Sequence, residues 1–463
     1  MEQVRVEDLV KGSGGRLLYG NPDEPVKHIV LDSREAGPGV LFVPLIGEKV
    51  DSHRFLEDVA GKGAAAVFTS EHQEAPEYAS SYGCAWIGVE DTRKALQSFG
   101  SYLRDRLSLP LVGVTGSVGK TTTREMIAAA LSAKYRVYRT PGNKNSQVGV
   151  PITISEISGD DQVGVIELGM SEPGELSVIA KIARIDMAVI TNVGITHIEQ
   201  LGSRENIYRE KLTIQDGLKE GGLLILNGDD DLLKDTKGKD GVRTVYYGLG
   251  GHCDYRAEHI GHEDGGMVFT AVTPKETGTV RLSVMGEHNV MNALAAIAVC
   301  DAMGMSLKET AQGLLTFTGF AHRQQIFHGQ RFTVLDDSYN ASPASMKAAL
   351  DVLKEFPGSR HIAVLADMKE LGEKTLSYHR EVGIYAAGCN LSLVVTLGEA
   401  CHALADGIRS AGDTPVKEFM QKEELMDFLK TEVRNGDCVL FKGSNSMGVS
   451  VMADAFKKLA DEV

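Results

Sequence analysis

The sequence has little that would suit a membrane span, a disulfide framework or a nucleic-acid interface. No run of about 18 apolar residues occurs, so we expect no membrane-spanning helix. The six cysteines are scattered and form no Cys-x-x-Cys pair, which predicts free thiols in a reducing compartment. Positive charge is scarce, with 48 Lys and Arg residues against 63 Asp and Glu, and this balance argues against nucleic acid as a main partner.

The remaining composition is typical of a soluble globular protein with several domains. Hydrophobic residues make up 43% of the 463 residues and charged residues 24%. A chain of this length predicts about three domains. The first residues contain neither a basic n-region nor an apolar h-region, so we expect no secretory signal and a cytoplasmic location.

Residues 109–133 have the pattern of a phosphate-binding loop. A short apolar run at 111–114 predicts a buried strand, and a helical pattern follows the loop. The glycines let successive N–H groups converge on a phosphate at the helix N-terminus. The lysine then supplies a cation, and the following threonine hydroxyl is suited to Mg²⁺. The loop consists of Thr115, Gly116, Ser117, Val118, Gly119, Lys120 and Thr121.

This loop departs from the usual pattern at one position, because Val114 stands where a first glycine is common. An ordinary glycine-containing turn between a strand and a helix is therefore an alternative interpretation. The strand before the loop and the helix after it favour a nucleoside triphosphate site.

The first unit, residues 1–108, is predicted to be a small mixed α/β domain. Apolar segments alternate with Gly, Pro and acidic turns, and no Gly-x-Gly-x-x-Gly occurs, so a dinucleotide-binding domain is excluded. Its polar segments are Asp32-Ser33-Arg34 and Asp51-Ser52-His53. Both are also ordinary turn sequences, and the residues alone favour that interpretation.

The second unit, residues 109–318, alternates strands and helices, which predicts a largely parallel sheet with its ligand site at the carboxyl ends of the strands. Glu167 ends one apolar strand, and Asn192 ends another with His197 close behind. A carboxylate buried at a strand end is costly unless it is paired or binds a metal, so Glu167 favours Mg²⁺. A lone histidine is more often a buried structural residue, so the residues alone favour that interpretation of His197.

The third unit, residues 319–463, is predicted to be a second parallel, Rossmann-like α/β domain. Asp336 and Asp337 follow an apolar strand, which a simple solvated turn seldom requires. Ser342 and Pro343 mark a helix start as N-cap and first helical residue.

Motifs from all three units, in this order and spacing, resemble the ATP-dependent Mur ligases. The resemblance implies three domains, of which the first binds a UDP-sugar-peptide, the second binds ATP, and the third closes over ATP and binds the amine substrate. Within the family, the pattern is most similar to members that join D-alanyl-D-alanine to a UDP-N-acetylmuramoyl-tripeptide. The motifs are TGSVGKTTT, TPGNKNSQVGVP, IELGMSEPGE, TNVGITHIEQLGS, LNGDDD, GEHNVMNALAAIAV and DDSYNASPASM.

The resemblance also implies roles for single residues. Lys120, Glu167, His197 and Lys211 correspond to catalytic positions, and Lys211 to a lysine that CO₂ converts to a carbamate. The metal, Mg²⁺, would be held by Thr121, Glu167, His197 and Lys211. The ATP site would comprise the loop from Thr115 to Thr121 together with Asn292, Arg323 and Asp337. The implied substrate-binding residues are Asp32, Ser33, Arg34, Asn143, Asn145, Tyr339 and Asn340.

The chain departs from the family pattern at Ser52, Ser146, Ala366 and Asn445, where relatives usually carry Gly, Asn, Gly and Arg. None of these changes touches the phosphate loop, so the chemistry is expected to stand. The implied reaction is formation of an amide from a carboxylate by way of an acyl phosphate, in a monomer. The alternatives are a ligase that adds a single amino acid to a shorter precursor, and a P-loop ATPase switch that is not a ligase.

Overall fold

In the computed structural model, which describes residues 1, 4–47 and 49–461, the chain builds three sheets, one in each predicted unit. The three-domain α/β prediction is therefore confirmed. The expectation about the N-terminal segment rests partly on Glu2 and Gln3, which lie outside the described residues. Among the described residues, no helix has the length and apolar character needed to cross a bilayer.

The first domain is a five-stranded sheet in the order β1-β5-β4-β3-β2, with β1 antiparallel to β5 and the other pairs parallel. Its last helix, α3, also packs against two helices of the second domain, and this contact joins the two domains. The elements are α1 Val6–Ser13, β1 Arg16–Tyr19, β2 His28–Val30, β3 Val40–Phe42, α2 Leu56–Gly61, β4 Ala66–Thr69, β5 Ala85–Gly88 and α3 Thr92–Asp105.

The central sheet has nine strands in the order β14-β13-β12-β11-β10-β9-β6-β8-β7. Pairing is parallel from β7 to β12 and antiparallel through β13 and β14, so the last three strands form two successive hairpins. The elements are β6 Leu111–Thr115, α4 Lys120–Leu131, β7 Val137–Arg139, α5 Gly149–Glu156, β8 Val163–Glu167, α6 Glu175–Ala183, β9 Ile185–Ile190, α7 Ile198–Leu201, α8 Arg204–Leu212, β10 Leu218–Asn227, β11 Arg243–Gly248, β12 Tyr255–Glu263, β13 Gly266–Val272, β14 Thr277–Leu282, α9 Glu287–Ala302 and α10 Leu307–Leu315.

The third domain has six strands in the order β15-β16-β20-β17-β18-β19, all parallel except β15. Helix α11 begins as predicted, with Ser342 as N-cap and Pro343 as its first residue. The elements are β15 Gln325–His328, β16 Thr333–Asp336, α11 Pro343–Glu355, β17 His361–Ala366, α12 Thr375–Ala387, β18 Leu393–Leu397, α13 Cys401–Ala411, β19 Val416–Phe419, α14 Lys422–Glu432, β20 Cys438–Lys442 and α15 Val449–Asp461.

The order of the central strands gathers the site. The strand β6 lies between β8 and β9, and each of these parallel strands ends at the same edge of the sheet. The loops after the three strands therefore meet there, carrying Thr115, Glu167 and Thr191. All three strands are buried along most of their length, because helices cover both faces of the sheet.

The sequence of residues 203–218 has a helical pattern throughout, but in the structure this stretch is not a single helix. Helix α8 ends at Leu212, a 3₁₀ turn follows at Thr213–Gly217, and β10 begins at Leu218. At Gly217 the backbone lies so close to α6 that an added Cβ would stand 1.8 Å from the carbonyl oxygen of Ala180. A continuing helix with side chains could not approach α6 so closely.

Candidate active site

The phosphate loop forms between the end of β6 and the start of α4, as its sequence predicts. Gly116 passes so close to the loop after β9 that an added Cβ would lie 1.8 Å from Thr191 Oγ1. Gly119 is the N-cap of α4 with a φ of 83°, a conformation that glycine adopts at little cost. The two glycines therefore bring the backbone to the N-terminus of α4, where the helix dipole favours an anion.

The loop after β9 holds the phosphate loop in place. The backbone N–H of Val118 donates to Asn192 Oδ1 at 3.0 Å, and the hydroxyl of Thr191 donates to the carbonyl of Val118 at 2.6 Å. The N–H of Gly194 donates to Ser117 Oγ at 2.8 Å. Asn192, predicted as a strand-end polar residue, thus has a structural role in shaping the loop.

Lys120 and Thr121 are the first residues of helix α4 and lie at the edge of a cavity between the central and third domains. The ammonium of Lys120 donates to the carbonyl of Gly116 at 2.8 Å, and burial lowers the pKa of this lysine. The hydroxyl of Thr121 donates to Glu167 Oε2 at 3.0 Å. Glu167 is 3% exposed at the end of β8, so the structure brings this predicted metal residue directly against the predicted Mg²⁺ hydroxyl.

The two predicted asparagines that follow β7 separate in the structure. Asn145 lines the cavity and donates from Nδ2 to Glu167 Oε1 at 2.7 Å. Asn143 is exposed and lies outside the cavity lining. Of the two, only Asn145 is in contact with Glu167, the predicted metal residue.

Lys211 is buried on α8, with 2% of its surface exposed. The neighbouring carboxylate of Glu210 forms no ion pair with it and instead accepts the N–H groups of Gly174 and Leu176 at the start of α6. Within the part of the chain that the structure describes, the ammonium has no hydrogen bond or ion pair. Burial, and next the positive charge of Lys120, hold the pKa of Lys211 well below its usual range.

His197 stands at the start of α7 in the left-handed conformation, with a φ of 64°, and it lines the cavity. Its Nδ1 lies 2.6 Å from Glu370 Oε2. Glu370 belongs to the third domain. This contact therefore links the central and third domains beside the site.

The third domain reaches the phosphate loop through Arg323. Its Nη2 donates to Thr121 Oγ1 at 3.3 Å, and the guanidinium lies 4.0 Å from the centre of the Tyr339 ring. Asp337 forms a buried ion pair with Lys442, which also donates to the carbonyl of Asn340 at 3.2 Å. The predicted residues Arg323, Asp337, Tyr339 and Asn340 thus come together on one wall of the cavity.

Asn292, on helix α9, lies on another wall of the cavity. Its Oδ1 accepts from the hydroxyl of Thr123 at 2.9 Å, and its Nδ2 donates to Asn289 Oδ1 at 3.2 Å. Asn292 also lies 3.2 Å from the position that a Cβ on Gly119 would occupy. The predicted adenine-binding residue is therefore packed against the phosphate loop.

These walls enclose a cavity of about 940 Å³ between the central and third domains. Two of its buried polar atoms, Thr196 Oγ1 and Arg323 Nε, have no hydrogen-bond partner among the described residues. Buried polar groups are normally paired, so these atoms indicate that a polar ligand belongs in the cavity. An anionic nucleotide fits the cations Lys120 and Arg323, and Mg²⁺ fits the oxygen atoms of Thr121 and Glu167.

The residues Asp32, Ser33 and Arg34 lie in the first domain, outside the lining of this cavity. They form a 3₁₀ turn after β2, in which Arg34 donates from its backbone N–H and from Nε to Asp32 Oδ1, each at 2.9 Å. Hydrogen bonds from Arg34 lower the pKa of Asp32 to about 2. The turn is real, and its part in binding a UDP group stays a prediction.

Two cations of the site escaped the sequence analysis. Lys442 is the last residue of strand β20 and is 2% exposed. The sequence feature that could have identified it is a lysine at the end of an apolar run. Arg124 lies one turn after Thr121 on α4, is fully buried, and donates to Glu167 Oε2 at 3.0 Å. The sequence feature that could have identified Arg124 is its position one turn after Thr121, and this spacing is too common on helices to be specific.

Comparisons with known proteins agree with this geometry. The family model for the Mur ligase middle domain matches residues 114–300, and that for the Mur ligase glutamate ligase domain matches 322–445. The chain is 36% identical to the UDP-N-acetylmuramoyl-tripeptide–D-alanyl-D-alanine ligase of Bacillus subtilis over 96% of this chain and 95% of that one. It is 32% identical to the enzyme of the same name from Escherichia coli, over 99% of each chain.

Solved structures are similar over nearly the whole chain. A crystal structure of MurF from Acinetobacter baumannii matches with a TM-score of 0.89 at 30% identity and covers 98% of both chains. The MurF ligase of Thermotoga maritima in complex with ADP matches with a TM-score of 0.82 at 27% identity, over 94% of this chain and 98% of that one. On its sequence, its fold and the residues of its cavity, the chain belongs to the Mur ligase family.

Proposed function

We propose that this Mur ligase joins D-alanyl-D-alanine to the tripeptide carboxylate of a UDP-N-acetylmuramoyl-tripeptide, with hydrolysis of ATP to ADP and phosphate. The observation that carries the proposal is the cavity of about 940 Å³, whose walls combine the phosphate loop with Arg323 and Tyr339 of the third domain. A ligase needs such a joint site, because nucleotide and amine must meet at one carboxylate.

The chemistry begins from a carboxylate whose oxygen is a poor leaving group. ATP supplies the γ-phosphoryl group, which the carboxylate oxygen accepts as ADP leaves, and the product is an acyl phosphate. The amine of D-alanyl-D-alanine then attacks the carbonyl carbon, phosphate leaves, and the nitrogen loses a proton. Lys120 lies at the N-terminus of α4, where its ammonium stabilises the charge on the transferred group.

The residues for Mg²⁺ are Thr121, Glu167 and His197, with Lys211 as a fourth after modification. When bound, the cation neutralises charge on the phosphate oxygens. Glu167 offers a carboxylate that is already held by Thr121 and Asn145, at 3.0 and 2.7 Å. Such prior orientation lowers the cost of binding a cation that demands regular geometry.

We also propose that Lys211 carries a carbamate. The neutral amine adds to CO₂ and releases a proton, which replaces a buried cation with an anion that has two oxygen ligands. The depressed pKa favours the neutral amine that this reaction requires. The burial of Lys211, and the use of Glu210 on the start of α6, leave the ammonium without a neutralising partner among the described residues.

The remaining assignments concern the substrates. We assign the UDP end to Asp32, Ser33 and Arg34 in the domain of residues 1–108, and the peptide and amine to the side that carries Asn145, Tyr339 and Asn340. The domain of residues 319–463 would close over ATP bound to residues 109–318. We place the reaction in the cytoplasm, where ATP is available, and assign it to a monomer.

The test measures phosphate release and product mass in four mixtures: ATP alone, ATP with the UDP-tripeptide, ATP with D-alanyl-D-alanine, and all three. We expect strong release only in the complete mixture, with a product heavier than the UDP-tripeptide by the dipeptide less one water. Release with ATP alone that neither substrate stimulates would favour an ATPase switch. Product formed from a single amino acid and a shorter UDP-peptide would favour the other ligase assignment.

A further inference from the structure

Arg124 is a fully buried arginine beside the metal residues, and the reaction described above gives it no role. It lies on α4 one turn after Thr121, so both side chains project from the same side of the helix towards β8. Its Nη1 donates to Glu167 Oε2 at 3.0 Å and to the carbonyl of Gly142 at 3.1 Å. Its Nε donates to Glu125 Oε1 at 3.0 Å.

Glu167 is held from three directions. Oε2 accepts from Thr121 and Arg124, each at 3.0 Å, and Oε1 accepts from Asn145 at 2.7 Å. The backbone N–H of Glu167 donates to Thr140 Oγ1 at 3.0 Å. Of the side-chain partners, only Arg124 carries a charge opposite to that of the carboxylate.

Charges alternate from the protein surface to this carboxylate. Arg139, half exposed, forms an ion pair with Glu125 Oε2 at 2.8 Å, Glu125 accepts from Arg124, and Arg124 donates to Glu167. Because Arg124 is anchored at Glu125 and at Gly142, its planar guanidinium cannot follow Glu167 if that side chain rotates. Arg124 therefore holds the carboxylate of Glu167 in one orientation.

An arginine that only held α4 to β8 would account for burial and for ion pairing. It would not need to contact the carboxylate in the cavity lining that accepts the hydrogen bond from the hydroxyl of Thr121. The guanidinium also lies 5.6 Å from the centre of the Phe320 ring, in the segment that leads into the third domain. Arg124 thus contacts the metal residue and the start of the third domain at once.

We propose that Arg124 is a positioning residue that fixes the ionised carboxylate of Glu167 for Mg²⁺ and thereby sets the Mg²⁺ affinity of the nucleotide site. The inference rests on the proposed function, because it takes Glu167 as a Mg²⁺ residue. Partners that orient a metal ligand typically contribute 10–100-fold in metal affinity or activity.

The test is calorimetric titration of ADP at a series of Mg²⁺ concentrations, with no ligation required. For Arg124→Gln we expect the half-saturating Mg²⁺ concentration to rise by about tenfold to a hundredfold, with unchanged affinity for the UDP-tripeptide. Arg124→Lys keeps the charge but cannot reach Glu125, Gly142 and Glu167 at once, so we expect a smaller rise. Arg139→Gln is the matched control, because it breaks the same chain of charges without touching Glu167, and we expect no shift.

The outcomes separate the two proposals. Wild-type protein that binds ADP without regard to Mg²⁺ would overturn the metal site and this inference with it. Wild-type protein that requires Mg²⁺, and an Arg124→Gln variant with the same requirement, would overturn the inference alone. If Arg124→Gln does not fold, Arg124→Lys decides: an unchanged Mg²⁺ requirement contradicts the proposal, and a raised one at an unchanged melting temperature supports it.

Discussion

Lys211 in the central domain and Lys442 in the third domain are both 2% exposed, but only Lys442 has a carboxylate partner. Lys442 forms an ion pair with Asp337, which opposes the effect of burial on its pKa. Lys211 forms no ion pair with a described residue, and burial and next the charge of Lys120 lower its pKa, which the carboxylate of Glu210 offsets only in part. In the third domain, a carboxylate of the protein neutralises the buried cation of Lys442. In the central domain, Lys120 and Lys211 form no ion pair with a described residue, so we expect bound or added anionic groups to neutralise them.

The contrast between Lys442 and Lys211 shows when a buried charge serves stability and when it serves ligand binding. A buried ion pair satisfies itself and holds two segments together, here the ends of β16 and β20. Buried cations without anions are unfavourable until phosphates, or CO₂ added to the amine, supply the negative charge. We therefore expect substitutions at Lys442 to act on stability and substitutions at Lys120 and Lys211 to act on catalysis.

The largest effect is expected for Lys442→Met, which would leave Asp337 buried without its cation. Breaking a buried pair in this way costs about 3–5 kcal/mol of the free energy of unfolding. Urea unfolding followed by a probe in the third domain would measure the loss. Lys442→Met combined with Asp337→Asn should recover much of it, and a single variant as stable as the wild type would contradict the contrast.

Lys120→Ala should lower the ligation rate by about a hundredfold or more, which corresponds to about 3 kcal/mol of transition-state stabilisation. The fold should remain intact, because Lys120 has no ion pair to leave unsatisfied among the described residues. Initial rates and the melting temperature of the same preparation measure both quantities. More than about a tenth of the wild-type rate would exclude the phosphate role of Lys120.

Lys211→Ala should lower the ligation rate by about tenfold or more, because the site would lose an oxygen ligand for the metal. Short-chain carboxylic acids added to the assay should restore part of the rate, since they supply the missing oxygens. Arg209→Ala, at an exposed position on the same helix, is the matched control and should behave as the wild type. A normal rate in Lys211→Ala would exclude the carbamate, and inactivity without rescue would count against it.

The smallest effect concerns stability and pH. The pKa of Lys211 is lower in the folded protein than in the unfolded chain, so the folded state binds fewer protons between the two pKa values. Wild-type stability should therefore rise with pH up to the ordinary lysine pKa of about 10.4. Without CO₂, Lys211→Met should be the more stable protein at low pH, and its advantage should shrink to nothing near that pH. Melting temperatures that shift in parallel at all pH values would contradict this.

Much of the fold was predictable because hydrophobic periodicity reports local burial. The strands at 163–167, 361–366 and 393–397 are recognisable in the sequence, since each is a short apolar run buried on both faces. The prediction missed β7, β15 and β19, which have three or four residues and few fully buried side chains. An edge strand of that length owes its structure to its neighbour, which a local pattern does not contain.

The residues of the site likewise divide into those that a local sequence pattern predicts and those that it does not. The phosphate loop is one continuous strand, turn and helix, and Glu167 ends an apolar strand, so each could be predicted from its own local pattern. Arg124 and Lys442 could not, because each becomes significant only through a carboxylate that lies distant in the chain, Glu167 or Asp337. Asn143 and Asn145 occupied equivalent places in the motif, and only the folded chain turned one towards Glu167 and left the other exposed.

By itself, the sequence determined the local elements: a strand, a glycine-rich turn and a helix that together place N–H groups, a cation and a hydroxyl at one point. These depend on dihedral preferences and spacing within a few residues. Only the tertiary structure decided which buried charges are neutralised, as for Lys442, and which are not, as for Lys211. The physical reason is that the energy of a buried charge depends on the surrounding atoms within a few ångströms, and folding brings those atoms from all parts of the chain.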